Sequence, residues 1–158
     1  MENADAPPAR LVGINHVALE VGDLEEALGL YHRLFSFELR GRVPGMAFLD
    51  IGDQFLALSD GRSGPPDADR HFGLVVDDRE AVRSAVEREG LHVTRSEPGG
   101  ALDFRDPWGN LIQVVDYRQI QFERTAGVKR ALGIENLEKT ERARREIEEK
   151  GLSGPQRP

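Results

Sequence analysis

His16 and His71 are the residues of this chain best placed to do chemistry. The chain has no cysteine, which removes disulfides, thiolate nucleophiles and zinc-finger sites together. Imidazole, carboxylate and amide oxygen are the metal ligands that remain. The two histidines also occupy matched places in an internal repeat. Asn15-His16-Val17-Ala18-Leu19-Glu20-Val21-Gly22-Asp23 and Arg70-His71-Phe72-Gly73-Leu74-Val75-Val76-Asp77-Asp78 align at an offset of 55 residues. At that offset Leu19 meets Leu74, Val21 meets Val76, Asp23 meets Asp78 and Glu25 meets Glu80. A fixed period reports one structural unit used twice, and two copies are too few for a solenoid, so the reading is a tandem duplication closing on itself. Two histidines bonded only to backbone are the plain alternative, and their matched positions count against it.

The elements that must position them follow from periodicity. Val17, Leu19 and Val21 alternate with His16, Ala18 and Glu20, the pattern of a strand with one apolar face. Asp23 is a helix N-cap with Glu26 at capping-box spacing. Leu24, Ala27, Leu28, Tyr31, Leu34 and Phe35 then recur on one helical side. Strand-like runs at 37–43, 46–51 and 54–59 are separated by Pro44-Gly45 and Gly52-Asp53 turns. Residues 61–69, rich in Gly, Pro and Asp, read as a linker. The order then repeats: a strand at 70–76, a helix at about 78–89 stopped by Gly90, and strands at 92–97, 101–105 and 111–117. The expected architecture is α+β, with β-α-β-β-β modules over 11–60 and 70–118 forming a curved eight-stranded sheet around a central groove. A disordered leader over 1–10 and a C-terminal helical extension over 119–158, charged and helical through 128–150, complete the chain. The extension's sparse apolar positions (Val128, Leu132, Leu137, Ile147) predict that it docks on the body or on a second subunit.

Bulk properties narrow the class. The 158 residues are 39% hydrophobic and 31% charged, the balance of a folded globular chain. A net charge of −7 with a pI near 5.2 argues against nucleic-acid or anionic-membrane partners. No run of about 18 apolar residues and no signal-like apolar segment is visible, so cytoplasm is the expected location.

Strand parity then decides which side chains share a surface. The strongly apolar parity must pack on the helices, leaving the other for a concave face. That face receives His16 and Glu20, Phe55 and Ala57, His71, Asp103 and Arg105, then Gln113 and Tyr117. An apolar wall with a few polar groups aimed inward is a pocket composition.

The repeated module, the opening Ile14-Asn15-His16-Val17-Ala18-Leu19-Glu20-Val21, the second His71-Phe72-Gly73-Leu74-Val75-Val76-Asp77-Asp78 and the closing Asp106-Pro107-Trp108-Gly109-Asn110-Leu111-Ile112-Gln113 resemble the vicinal oxygen chelate superfamily over roughly residues 11–120. That superfamily includes glyoxalases, extradiol dioxygenases, fosfomycin-inactivating enzymes and bleomycin-binding proteins. The resemblance implies a divalent ion (Fe, Mn, Ni or Zn) held by first- and fourth-strand side chains, which here are His16, Ala57, His71 and Gln113. Ala57 cannot bind a metal, so the implied ligands are His16, His71 and Gln113, with Gln113 standing where two-histidine relatives carry glutamate. A neutral amide oxygen can ligate, but it cannot neutralise charge or act as a base.

Asp103 is the candidate to restore that charge, as a ligand or a general base, with an ion pair to Arg105 as its alternative role. Tyr117 is a candidate proton or hydrogen-bond donor, and Phe55, Arg105 and Glu20 are candidate substrate contacts. The implied function is a metal-dependent enzyme acting on a small molecule that chelates the ion through neighbouring oxygens. Its chemistry would be dioxygenase-like or lyase/transferase-like; glyoxalase I proper is disfavoured because both fourth-strand positions lack glutamate. The alternative is a non-catalytic binder of the bleomycin-resistance kind. A homodimer is the expected assembly.

Overall fold

The computed structural model describes residue 14 and residues 16–151; the leader expected over 1–10 lies outside the described residues. Strand β1 (His16–Glu20) leads into α1 (Leu24–Leu34), and the Asp23 carboxylate caps that helix by accepting from the Glu26 N–H at 2.8 Å. Leu24, Ala27, Leu28, Leu30, Tyr31 and Leu34 are its buried face. β2 (Leu39–Val43), β3 (Met46–Asp50) and β4 (Phe55–Ser59) complete the first module. The second repeats the order with β5 (His71–Val76), α2 (Arg79–Arg88), β6 (Val93–Ser96), β7 (Leu102–Arg105) and β8 (Leu111–Asp116). Asp78 caps α2 as Asp23 caps α1, accepting from the N–H groups of Glu80 and Ala81.

The eight strands form two four-stranded sheets, ordered β1-β4-β3-β2 and β5-β8-β7-β6. Within each, the first and fourth strands run parallel and the other pairs antiparallel. One hydrophobic core serves both modules: Leu49, Leu56 and Leu58 from the first sheet meet Leu102, Phe104, Ile112 and Val114 from the second around the apolar faces of α1 and α2. The apolar parity of β3, β4, β7 and β8 is thus committed to this core.

A polar seam joins the modules where the linker and the Asp106–Asn110 turn meet the end of β1. Asn110 Nδ2 donates to Glu20 O at 2.9 Å, and the buried Arg62 guanidinium donates to Pro65 O at 2.7 Å. Backbone segments approach closely enough here to require glycine. Gly109 has φ +86°, and a Cβ at that position would stand 2.5 Å from Pro66 Cα. Gly22 lies so close under the Trp108 indole that a Cβ would be 2.5 Å from the ring. Gly109→Ala is therefore expected to destabilise the chain by about 1–3 kcal/mol, from the left-handed backbone together with displacement of the linker. A denaturant titration checks this; an unchanged midpoint would show that the linker yields freely.

The tail departs from one helix over 128–150. β8 stops at Asp116, because the Asp116 carboxylate accepts from the Arg118 N–H at 2.9 Å and turns Tyr117–Gln119 into a 3₁₀ turn. Two short helices follow, α3 (Ala126–Ala131) and α4 (Glu141–Glu149). Gly133, at φ +68°, ends the first, and Thr140 caps the second. Both dock on the body. Ala143 and Ile147 of α4 are buried, and Val128 and Leu132 pack on Gly52 of the first module. Arg124 ties the tail to the same turn through Asp53 at 2.6 Å and Gln54 at 3.2 Å. Lys139 is the anchor: only 8% exposed, it donates to the Tyr117 and Ile120 carbonyls at 2.6 and 3.2 Å and lies 3.6 Å from the Tyr117 ring centroid. Burial pulls its pKa down to about 8.

Candidate functional site

In β1 and β5 the parity not packed on helices is the exposed one, whereas Ala57 of β4, expected on the same face, is buried. His16, Ala18 and Glu20 of β1 and His71, Gly73 and Val75 of β5 are all exposed. They line a broad cleft of about 2020 Å³ shared by the two sheets. That exceeds the roughly 300–1,000 Å³ of an ordinary ligand pocket, so the cleft is an open trough.

In the first module His16 stacks on Phe55, with ring centroids 4.7 Å apart and planes 12° apart. Register explains the contact, since His16 and Phe55 are directly paired across the β1–β4 ladder. Phe48 meets the edge of the same ring at 5.7 Å, and the Arg40 guanidinium carbon lies 4.9 Å from its centroid. Phe55 thus forms the support that fixes the imidazole plane.

In the second module His71 Nδ1 lies 2.9 Å from the Asp69 carbonyl oxygen. A carbonyl only accepts, so Nδ1 carries the proton, which leaves Nε2 as the nitrogen that holds the lone pair whenever the ring is neutral. An imidazole held this way is prepared as a metal ligand. Gln113 stands two residues farther along on the neighbouring strand, since β8 pairs His71 with Leu111 and Gly73 with Gln113. Its Nε2 donates to Asp103 Oδ1 at 3.1 Å. Across from Gln113, a Cβ on Gly73 would meet nothing within 4 Å, so the space above Gly73 is open to a bound group. Two imidazole nitrogens and an amide oxygen form a donor set that suits a borderline divalent ion. Among the described residues no three His, Cys, Asp or Glu side chains gather as a metal-binding group.

The remaining expected site residues are placed as follows. Arg105 does not pair with Asp103: its Nε and Nη2 donate to Asp67 O at 3.3 and 2.8 Å, and Nη2 also donates to Ala68 O at 3.2 Å. Its role in the structure is to hold the linker against β7. Tyr117, expected at the end of the strand, belongs to the 3₁₀ turn and is 2% exposed. Its hydroxyl donates to Glu123 at 2.7 Å and accepts from the Arg124 N–H at 3.2 Å. Burial, helped by the Glu123 carboxylate, raises its pKa, so this phenol holds its proton within the tail. Glu20 remains exposed at the end of β1 and lies in the field of Arg70, whose pKa is raised mainly by its bond to Asp67.

Topology also sets the separation of the histidines. Asn110 bonds Glu20 and immediately precedes Leu111, the partner of His71, so His71 lies at the Glu20 end of β1. Beyond the far end of β8, Arg124 bonds Gln54, whose Nε2 donates to Ile14 O at 2.7 Å, so that end lies near the start of β1. β1 therefore runs against β5 and β8, and the four steps along the strand from Glu20 back to His16 span about 13 Å. Within one chain His71 and Gln113 come together, and His16 stands apart from them. Sequence reading gave no role to Asp69, placed in the linker, or to Gly73, which shares the face of His71.

The sequence model of the Glyoxalase/Bleomycin resistance protein/Dioxygenase superfamily matches residues 13–114. The chain belongs to that superfamily. A glutathione transferase FosA of Serratia marcescens is 26% identical over 113 residues, which are 66% of this chain and 80% of that protein. Among solved structures, the fosfomycin resistance protein FosX of Listeria monocytogenes, crystallised with Mn(II) and sulfate, superposes with a TM-score of 0.59 at 17% identity, over 68% of this chain and 91% of that one. A lactoylglutathione lyase from Agrobacterium tumefaciens gives a TM-score of 0.54 at 27% identity, over 74% and 100% of the two chains. The superfamily's tandem modules account for the two four-stranded sheets; the matched segment ends before the tail.

Proposed function

We propose that this chain is a divalent-metal-dependent enzyme of the lyase, transferase or dioxygenase-like kind, acting as a homodimer on a small molecule with two neighbouring oxygens. The observation that carries this reading is the preparation of His71 and Gln113. The Asp69 carbonyl fixes the proton on Nδ1 of one, and Asp103 fixes the amide of the other. His16, held flat on Phe55, is the third proposed ligand. A bound divalent ion supplies Lewis-acid stabilisation of negative charge on substrate oxygens. Phe55 offers an apolar wall, Glu20 a carboxylate at the rim, and Arg105 holds the linker that borders the trough. The metal is supported by the Mn(II) complex of FosX, and the reaction class by the names of the transferase and lyase relatives.

Exposed edges support the dimer. β1 and β5 each end their sheet, and Phe72, Leu74 and Val76 of β5 are only half-buried. Unpaired apolar edges of this kind are normally covered. A second copy lying along the trough would cover them and bring its own histidines to the ligands that a single chain leaves apart. The described helices include none long and apolar enough to cross a membrane, and the cytoplasm is the proposed location.

A neutral amide in place of a carboxylate favours one other reading, a non-catalytic small-molecule binder. Metal content of protein purified without chelator separates the two. Stoichiometric metal, lost in the His16→Ala/His71→Ala double variant, is the expected result. A metal-free wild type that still binds apolar ligands would assign the chain to the second reading.

A further inference from the structure

We propose that Asp103 is a positioning residue that gives Gln113 the orientation and part of the charge of the carboxylate it replaces. The inference rests on the metal-site reading above and concerns how this chain makes a neutral amide serve as a ligand. Asp103 and Gln113 are directly paired across the β7–β8 ladder, so their side chains rise together on one face of the sheet. The bond between them is 3.1 Å, from Gln113 Nε2 to Asp103 Oδ1. An ionised carboxylate has no proton to give, so the amide must turn its NH₂ toward Asp103. Oε1 is then left on the side away from β7, toward β5, where the facing residue is Gly73 and the space is open. His71 precedes Gly73 by two positions on the same face.

The neighbours of Asp103 leave this arrangement undisturbed. Arg95, paired with Asp103 across the β6–β7 ladder, directs its guanidinium to Glu97 at 2.8 Å. Arg105, the next residue on the same face, directs its own to the linker carbonyls. Thr94 Oγ1 donates to the Asp103 backbone carbonyl at 3.2 Å and holds the strand in place. An amide whose N–H groups donate to a carboxylate carries more negative charge on its oxygen, because hydrogen bonds in a chain polarise one another. The pair therefore distributes across two side chains, an acceptor oxygen on the Gly73 side and a carboxylate behind it, what a single glutamate would supply alone.

The test is a cycle of variants read by titration of Mn(II) into chelator-treated protein, with melting curves as the control for folding. In the wild-type background Asp103→Asn is expected to weaken Mn(II) binding about 10–100-fold, as loss of a group that orients a ligand typically does. In the Gln113→Glu background the same change should reverse sign. The carboxylate introduced by Gln113→Glu has no N–H donor and faces a like charge at Asp103, whereas the amide introduced by Asp103→Asn donates to it. Asp103→Asn/Gln113→Glu should thus bind Mn(II) at least as tightly as Gln113→Glu. An equal loss in both backgrounds would make Asp103 a ligand or a bulk charge and overturn the proposal. No loss in either would overturn it too. If wild type takes up no Mn(II), or keeps it in the His16→Ala/His71→Ala variant, the metal site itself fails and this inference falls with it.

Discussion

Asp106→Ala is expected to destabilise the chain by about 3–5 kcal/mol and to lower Tm by roughly 10 °C. Asp106 is 4% exposed, in the turn between β7 and β8. One carboxylate oxygen accepts from the N–H groups of Trp108 and Asn110 at 3.0 and 2.9 Å. The other accepts from Asn110 Nδ2 at 2.8 Å and from the Tyr31 hydroxyl at 3.1 Å. The Tyr31 bond crosses from one module to the other, so the variant loosens the turn and the contact between repeats together. It also leaves four donors short of an acceptor, two of them backbone. Tyr31→Phe removes one of those bonds and should cost only about 1 kcal/mol, which sets the scale for the larger loss.

The same residue gives a pH signature. Burial raises the Asp106 pKa above its ordinary 3.8, against the pull of the bonds from Asn110, Tyr31 and Trp108. Between the ordinary value and the raised native one, the folded chain binds more protons than the unfolded chain, so this group's contribution falls as pH rises through that window. Asp106→Asn removes the titration. The stability difference between wild type and this variant should therefore move against wild type as pH climbs from about 4 and level off above the native pKa. A difference that stays flat would mean that the carboxylate is as well solvated by its four donors as by water.

Most of the scaffold was legible because its rules are local. Asp23 and Asp78 announce their helices by cap chemistry, and strand alternation separates Leu102 and Phe104, which are fully buried, from Asp103 and Arg105, which are not. The repeat made the second module readable from the first. The tail was harder to read, because its interruption depends on a tertiary event. Lys139 bonds carbonyls some twenty residues earlier, and the backbone from 132 to 140 follows that anchor rather than helical periodicity. Parity assigns side chains to a face but does not fix their partners. Arg105 and Asp103 share a face, yet the linker takes the guanidinium and Gln113 takes the carboxylate. Tyr117 still lines the cleft, but Asp116 caps a turn one residue before the phenol, and its hydroxyl bonds Glu123. The separation of His16 from His71 was least legible, since strand direction between modules is set by the seam at Asn110 and by the tail, and neither leaves a mark on the repeat.

That separation makes the strongest functional prediction. In the proposed homodimer, a site takes His16 from one protomer and His71 with Gln113 from the other. Substituting either histidine alone should then abolish stoichiometric metal, a loss greater than the roughly 10–100-fold expected for groups that only orient a ligand. Mixing the two single variants should restore it in part. After subunit exchange about half of the dimers are mixed, and each mixed dimer holds one site with both histidines intact and one with neither. Metal content should recover to about a quarter of the wild-type value, as the symmetry of a two-fold dimer requires. Recovery should track the fraction of mixed dimers, measured by mass after tagging one variant. If each site were built within one chain, every site in the mixture would still lack a histidine and none of the metal would return. The two arrangements differ in which protomer's β1 lies beside β5. Mixing reads that difference directly, because an imidazole removed from one chain can be replaced only by a neighbour able to reach the same ion.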